Sequence, residues 1–169
     1  NLVKVTVIDS NVSAAYTQAN TIASQAQANL ASILTIASSY DVGTIGSDAN
    51  TTLNEAKGFL TDANTYVVTI HSALSAVTQA KADVNETAAQ NANTIAEAAK
   101  IIALEKITAA GTKTQLVATK LSEAQAIKAS ADAAAILVSQ NIANQAATAA
   151  AASSLSASET YKLFKLEKQ

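Results

Sequence analysis

Residues 53 to 77 read LNEAKGFLTDANTYVVTIHSALSAV, and two interleaved series run through them. Leu53, Leu60, Val67 and Leu74 recur every seven residues, and Ala56, Ala63, Ile70 and Val77 follow each of them by three. Apolar residues at alternating three- and four-residue steps fall on one side of an α-helix, whereas a half-buried strand alternates every second residue. The stretch predicts a long amphipathic helix whose seam meets other helices.

Upstream, Val12, Ala15, Ala19, Ile22, Ala26, Ile33 and Ile36 form a second seam with Asn29 as its polar member. Between the two lies Tyr40-Asp-Val-Gly-Thr-Ile-Gly-Ser-Asp48, which carries two of the four glycines and ends in residues that cap helices well. A chain reversal is expected at 40–47. The opening run Leu2-Val-Lys-Val-Thr-Val-Ile8 is β-branched and partly alternating, so residues 1–9 read as an extended arm lying on helices.

Downstream, the seven-residue register continues through Val84 and on to Ala88, Ile95 and Ile102, so residues 48–109 could form one helix. A break near Asp83 is favoured, because Asp83-Val-Asn-Glu86 resembles a capping box and sixty uninterrupted residues exceed an ordinary globular helix. Gly111 with Thr112 and Thr114 suggests another stop and restart at 110–113. Beyond it, Val117, Leu121, Ala124, Ala131, Ala135, Val138, Ile142, Ala149 and Ala152 form a stripe dominated by alanine. Small side chains let a neighbouring backbone come close, which makes Ala135, Ile142, Ala146 and Ala149 the candidate helix-packing residues. Ser153, Ser154 and Ser156 then read as an interruption, and Ser156-Ala-Ser-Glu159 as a weak capping box near the start of a short last helix.

The expected fold is all-α: one domain over 1–169, an elongated antiparallel bundle with Ala-rich, coiled-coil-like packing. Its long helices are placed at 10–39, 48–81, 85–109 and 113–152, with a short fifth at 155–167. A helical hairpin with very long arms is the alternative architecture. No proline opposes this reading, and forty of the 169 residues are alanine, the best intrinsic helix former.

Composition narrows function by exclusion. Charged residues make up 14%, the formal net charge is −2, and all eleven cations are scattered lysines. Phosphate binding needs clustered cations on one face, so nucleic acid is not an expected partner. No apolar run approaches the roughly 20 residues that span a bilayer, so no transmembrane segment is expected. Cysteine is absent, which removes disulfides and thiolate metal sites. The chain opens on Asn1 and lacks methionine, which suggests a removed N-terminal segment and hence secretion. Three triplets, Asn11-Val-Ser13, Asn50-Thr-Thr52 and Asn85-Glu-Thr87, fit N-glycosylation acceptors and agree with an extracellular location.

No catalytic, cofactor or metal site is expected. His71, the only histidine, has Val67, Leu74 and Ser75 as helical neighbours and no sequence-adjacent nucleophile. The Asp41–Asp48 loop lacks the alternating acids of an EF-hand and the lysine of a P-loop. Asp83, Glu86 and Glu97 sit near predicted helix starts or on polar faces, where capping and solvation account for them. Asn29 and Asn91 fall on seam positions, where a polar residue can fix register or oligomeric state.

Three functions follow. The first is a secreted, non-enzymatic structural or surface protein that self-associates as a homo-oligomer through Ala-rich helix faces; its composition is similar to that of the Ala- and Ser-rich coiled-coil silks. The second is a surfactant or lipid-binding amphipathic bundle. In length, helix count and lack of cysteine it looks like the insect apolipophorin class, which implies a bundle that opens at an apolar surface. The third is a secreted binding or effector module. Narrow seams rich in alanine favour helix partners over lipid, which places self-association first.

Overall fold

The computed structural model describes residues 1–169 as three α-helices: α1 Leu2–Ala37, α2 Ile45–Ala82 and α3 Glu86–Glu167. There is no strand. The chain divides into two compact units, residues 1–125 and 126–169.

In the first unit the burial pattern is heptad-spaced. On α1 the residues Val5, Val12, Ala19, Ala26 and Ile33 are buried at every seventh position, with Ile8, Ala23 and Leu30 between them. On α2 the buried set includes Leu53, Ala56, Leu60, Ala63, Val67 and Ile70, the positions that opened the sequence reading. The buried α3 residues are mostly small, Ala89, Ala92, Ala96, Ala99, Ala103, Ala110 and Ala124, with Thr114 and Val117 the larger members. Large side chains from α1 and α2 thus meet a helix lined with methyl groups, as where Val5, Val12, Val67 and Ile70 surround Ala92, Ala96 and Ala99. A large aliphatic side chain gives about 1.5–3 kcal/mol when buried and an alanine far less. The core energy comes mainly from α1 and α2, while α3 contributes close approach.

Polar cross-links fix the directions. Asp9 meets His71, and Lys57 donates to Gln27 at 2.7 Å, so α1 and α2 run antiparallel. Lys113 pairs with Glu55 at 2.6 Å and Lys106 with Asp62 at 3.9 Å, so α3 runs antiparallel to α2.

The expected 1–9 arm is instead the first turns of α1. Val5 and Ile8 are buried while Val3 and Val7 are exposed, a helical period rather than a strand alternation. β-Branched residues lose only tenths of a kcal/mol each in a helix, and burying Val5 and Ile8 outweighs that. The reversal falls where it was expected, between Ala37 and Ile45. Gly43 there adopts a positive φ of 60°, and Asp41 accepts its N–H.

The break near Asp83 is also present, but its chemistry differs. Asp83 is the C-cap of α2. Asn85 caps α3, its Oδ1 accepting the Ala88 N–H at 3.0 Å. The Asn85 N–H reaches the Ala80 carbonyl and the Val84 N–H the Lys81 carbonyl, the paired bonds of a Schellman turn. Such a turn wants glycine at its left-handed position, yet Val84 sits there with φ 53° and is 91% exposed. Val84→Gly relieves that conformation and loses no burial; it is expected to stabilise the first unit by about 1 kcal/mol. A urea midpoint that stays or falls contradicts this.

Neither later break exists: three helices replace the expected four and a fifth. Gly111 lies inside α3, where Thr114 is buried with its hydroxyl donating to the Gly111 carbonyl. A single helical glycine costs only about 1 kcal/mol, less than the packing of Ala110, Thr114 and Val117 supplies. Because nothing lies within 4 Å of a Cβ built at Gly111, Gly111→Ala should raise stability by about 0.5–1 kcal/mol in the same titration.

In the second unit the helix continues through Ser153, Ser154 and Ser156 to Glu167. Serine costs a helix little beside this many alanines, and the Thr148 and Thr160 hydroxyls donate back to the Asn144 and Ser156 carbonyls. The same back-bonding recurs in the first unit, for example from Thr6, Thr61 and Thr94. That is how a chain rich in hydroxyls keeps its backbone helical.

Candidate functional site

Four side-chain pairs of the first unit join different helices: His71 with Asp9, Lys57 with Gln27, Lys106 with Asp62 and Lys113 with Glu55. His71 Nδ1 faces Asp9 Oδ1, and that oxygen has no other donor. The imidazole is 53% exposed, and the pair ties the first third of α1 to α2. Ser13 Oγ and Asn93 Oδ1 are buried without hydrogen-bond partners. Asp41 and Asp48 serve their own turn, Asp41 through Gly43 and Asp48 by accepting the Thr44 hydroxyl at 2.8 Å. No three metal-ligating side chains converge.

Of the shallow grooves on this unit, two lie between α3 and another helix. One, of about 570 Å³, runs between α1 and α3 and is lined by Ile22, Gln25, Asn29, Thr108, Thr112 and Gln115. Asn29 is only half-buried at its edge and Asn91 is exposed, so neither occupies a buried seam position. The other, of about 540 Å³, is an end cup formed by Leu2, Val77, Val84 and Ala89 with Lys81 at its rim. Both are open clefts between helices.

The sequon asparagines are all exposed, in different settings. Asn11 and Asn50 lie within α1 and α2, whereas Asn85 is in the turn and uses its side chain as a helix cap.

The second unit carries a run of exposed apolar side chains. Ile136, Leu137, Val138, Ile142, Leu155, Leu163 and Leu166 are all exposed, Ile142 at 61%. The candidate packing residues Ala135, Ile142 and Ala149 recur every seven residues, with Ala146 beside them, and no contact covers them within their unit. No charged residue lies between Asp132 and Glu159. This stretch presents only apolar and uncharged polar side chains outward.

No helix is long and apolar enough to cross a membrane. Comparison with known proteins finds no match: no family model, no curated protein and no solved structure is similar to the chain.

Proposed function

We propose that this chain is a non-enzymatic structural or surface protein, secreted, that associates with other copies of itself through its Ala-rich helix face. The observation that carries this reading is the charge-free, exposed span from Ala133 to Ser158, with Val138 and Ile142 on its stripe. A helix in water gains nothing from such a face, and one packed on another helix gains burial and close backbone approach. Coiled-coil-like packing between copies is the form that the heptad spacing suits.

Light scattering on the purified protein is expected to give a mass at least twice that of the 17.2 kDa chain. A monomer at tens of micromolar, about the range where weak pairs form, rejects the proposal.

The lipid reading has one observation in its favour, the terminal run Tyr161-Lys-Leu-Phe-Lys-Leu166 with its exposed apolar side chains and lysines. An interfacial helix gathers its apolar residues on one face. Here Leu163 and Phe164 are adjacent and point about 100° apart. Lys168 also covers the Phe164 ring, at 5.1 Å. Self-association is the better-supported reading.

A further inference from the structure

From the phase of the seam and the sizes of its residues, we infer that the second unit pairs with the second unit of another copy, antiparallel, about a two-fold axis beside Ala147. This rests on the self-association proposed above and specifies its surface and geometry.

The seam is in register with an interface that the fold already uses. Ala96, Ala103, Ala110, Val117 and Ala124 are buried at seven-residue intervals on α3, and the same count continues to Ala131, Val138, Gln145, Ala152 and Glu159. Thr114 and Leu121, buried and half-buried, lead by the same step through the exposed Lys128 to Ala135, Ile142, Ala149, Ser156 and Leu163. The first unit covers its part of this seam with α1 and α2. The second unit has no such cover, and a strict seven-residue repeat on an α-helix suits a left-handed pair.

Side-chain size selects the direction and the register. In an antiparallel pair, members of the two series face each other across the axis. With the axis at Ala147, Gln145 faces Ala149 of the second copy, Ile142 faces Ala152, and Val138 faces Ser156. Further out, Ala135 faces Glu159 and Ala131 faces Leu163. Each of these five layers joins a larger side chain to a small one, which fills space evenly at a close helix separation. Moving one heptad-step either way sets Ala135 against Ala152, or Ala149 against Ala152, and opens voids. Parallel pairing stacks alanine on alanine in several layers and brings Glu159 against Glu159.

Charge distribution gives independent support. The uncharged span from Ala133 to Ser158 is centred within about two residues of the proposed axis, and the flanking charges, Lys128 and Asp132 on one side and Glu159 and Lys162 on the other, fall at the two ends. A two-fold axis there sets residues 136–158 of one copy against the same residues of the other, with Glu159 facing Ala135 at each end of that span.

The chain has no cysteine, so single cysteines report the geometry directly. Ala131→Cys and Leu163→Cys, both at exposed positions, are prepared separately, mixed and oxidised, with Ala133→Cys mixed with Leu163→Cys as the control. The expected result is a 131–163 cross-link at least tenfold above the control, with neither variant cross-linking to itself. Self-cross-linking of each variant alone means parallel pairing and overturns the inference. Light scattering on the unmodified chain separates the two levels. A monomer removes both the self-association and this geometry, whereas an oligomer without the 131–163 cross-link keeps self-association and overturns this surface.

Discussion

Val67→Asp is expected to abolish cooperative folding of residues 1–125. Val67 is buried on α2 in one cluster with Val5, Val12, Ile70 and the alanines of α3, and the nearest basic side chain along the helix, His71, already faces Asp9. Burying an unpaired charge costs several kcal/mol even after the protein relaxes, and a domain of this size has only about 5–15 kcal/mol in total. The next residue supplies the control: Val68 is 53% exposed, so Val68→Asp should shift the midpoint by less than about 0.5 kcal/mol. Circular dichroism through a urea titration distinguishes them. Equal behaviour of the two variants would mean that the face assigned to α2 is wrong.

Ala96→Leu and Ala103→Leu together are expected to cost about 2–6 kcal/mol, the sum of two overpacked sites. Both residues are fully buried, in the cluster where α3 lies closest to the valines and isoleucines of α1 and α2. A leucine needs three more carbons where the neighbouring helices leave space for a methyl group, so the helices must separate. Ala98→Leu, on the exposed side of α3, should be nearly neutral. The informative readout is the urea midpoint, because helix content alone would change little. Stabilisation by the double substitution would show that α3 lies over an underfilled core.

Helix character was plain in the sequence because seven-residue spacing has few other causes. The α2 positions from Leu53 to Ile70 were read correctly, since large residues there mark the buried face unambiguously. On α1 the first series was found at Val12, Ala19, Ala26 and Ile33, but the second was set three residues on, at Ile22 and Ile36, instead of four, at Ala23 and Leu30. A large exposed Ile22 competed with a small buried Ala23, and hydrophobicity alone chooses the larger residue. The same bias placed Ile95 on the seam, where Ala96 is the buried residue. Breaks were overcounted because Gly111 and the serines at 153–156 are weak signals that a long alanine-rich helix absorbs. Cross-helix pairs such as His71 with Asp9 were not legible, since nothing in a linear sequence states which turns of two helices lie side by side.

One property of α3 bears on how the first unit finds a single structure. Its buried alanines at 89, 96, 103 and 110 are interchangeable under a seven-residue slide, so packing scarcely resists slippage. The charges do not resist it either. Asp48, Glu55 and Asp62 are seven apart, as are Lys106, Lys113 and Lys120, so a slide by one heptad either way again sets two acids opposite two lysines. Competing alignments of nearly equal energy are the condition for a rugged landscape. What singles out one alignment is the brevity of the chain between α2 and α3: three residues, Asp83 to Asn85, cannot take up an offset of about 10 Å, the rise of seven helical residues, without unwinding a helix end. The three-residue turn therefore acts as a ratchet pawl. It holds in place a track whose own teeth are all alike.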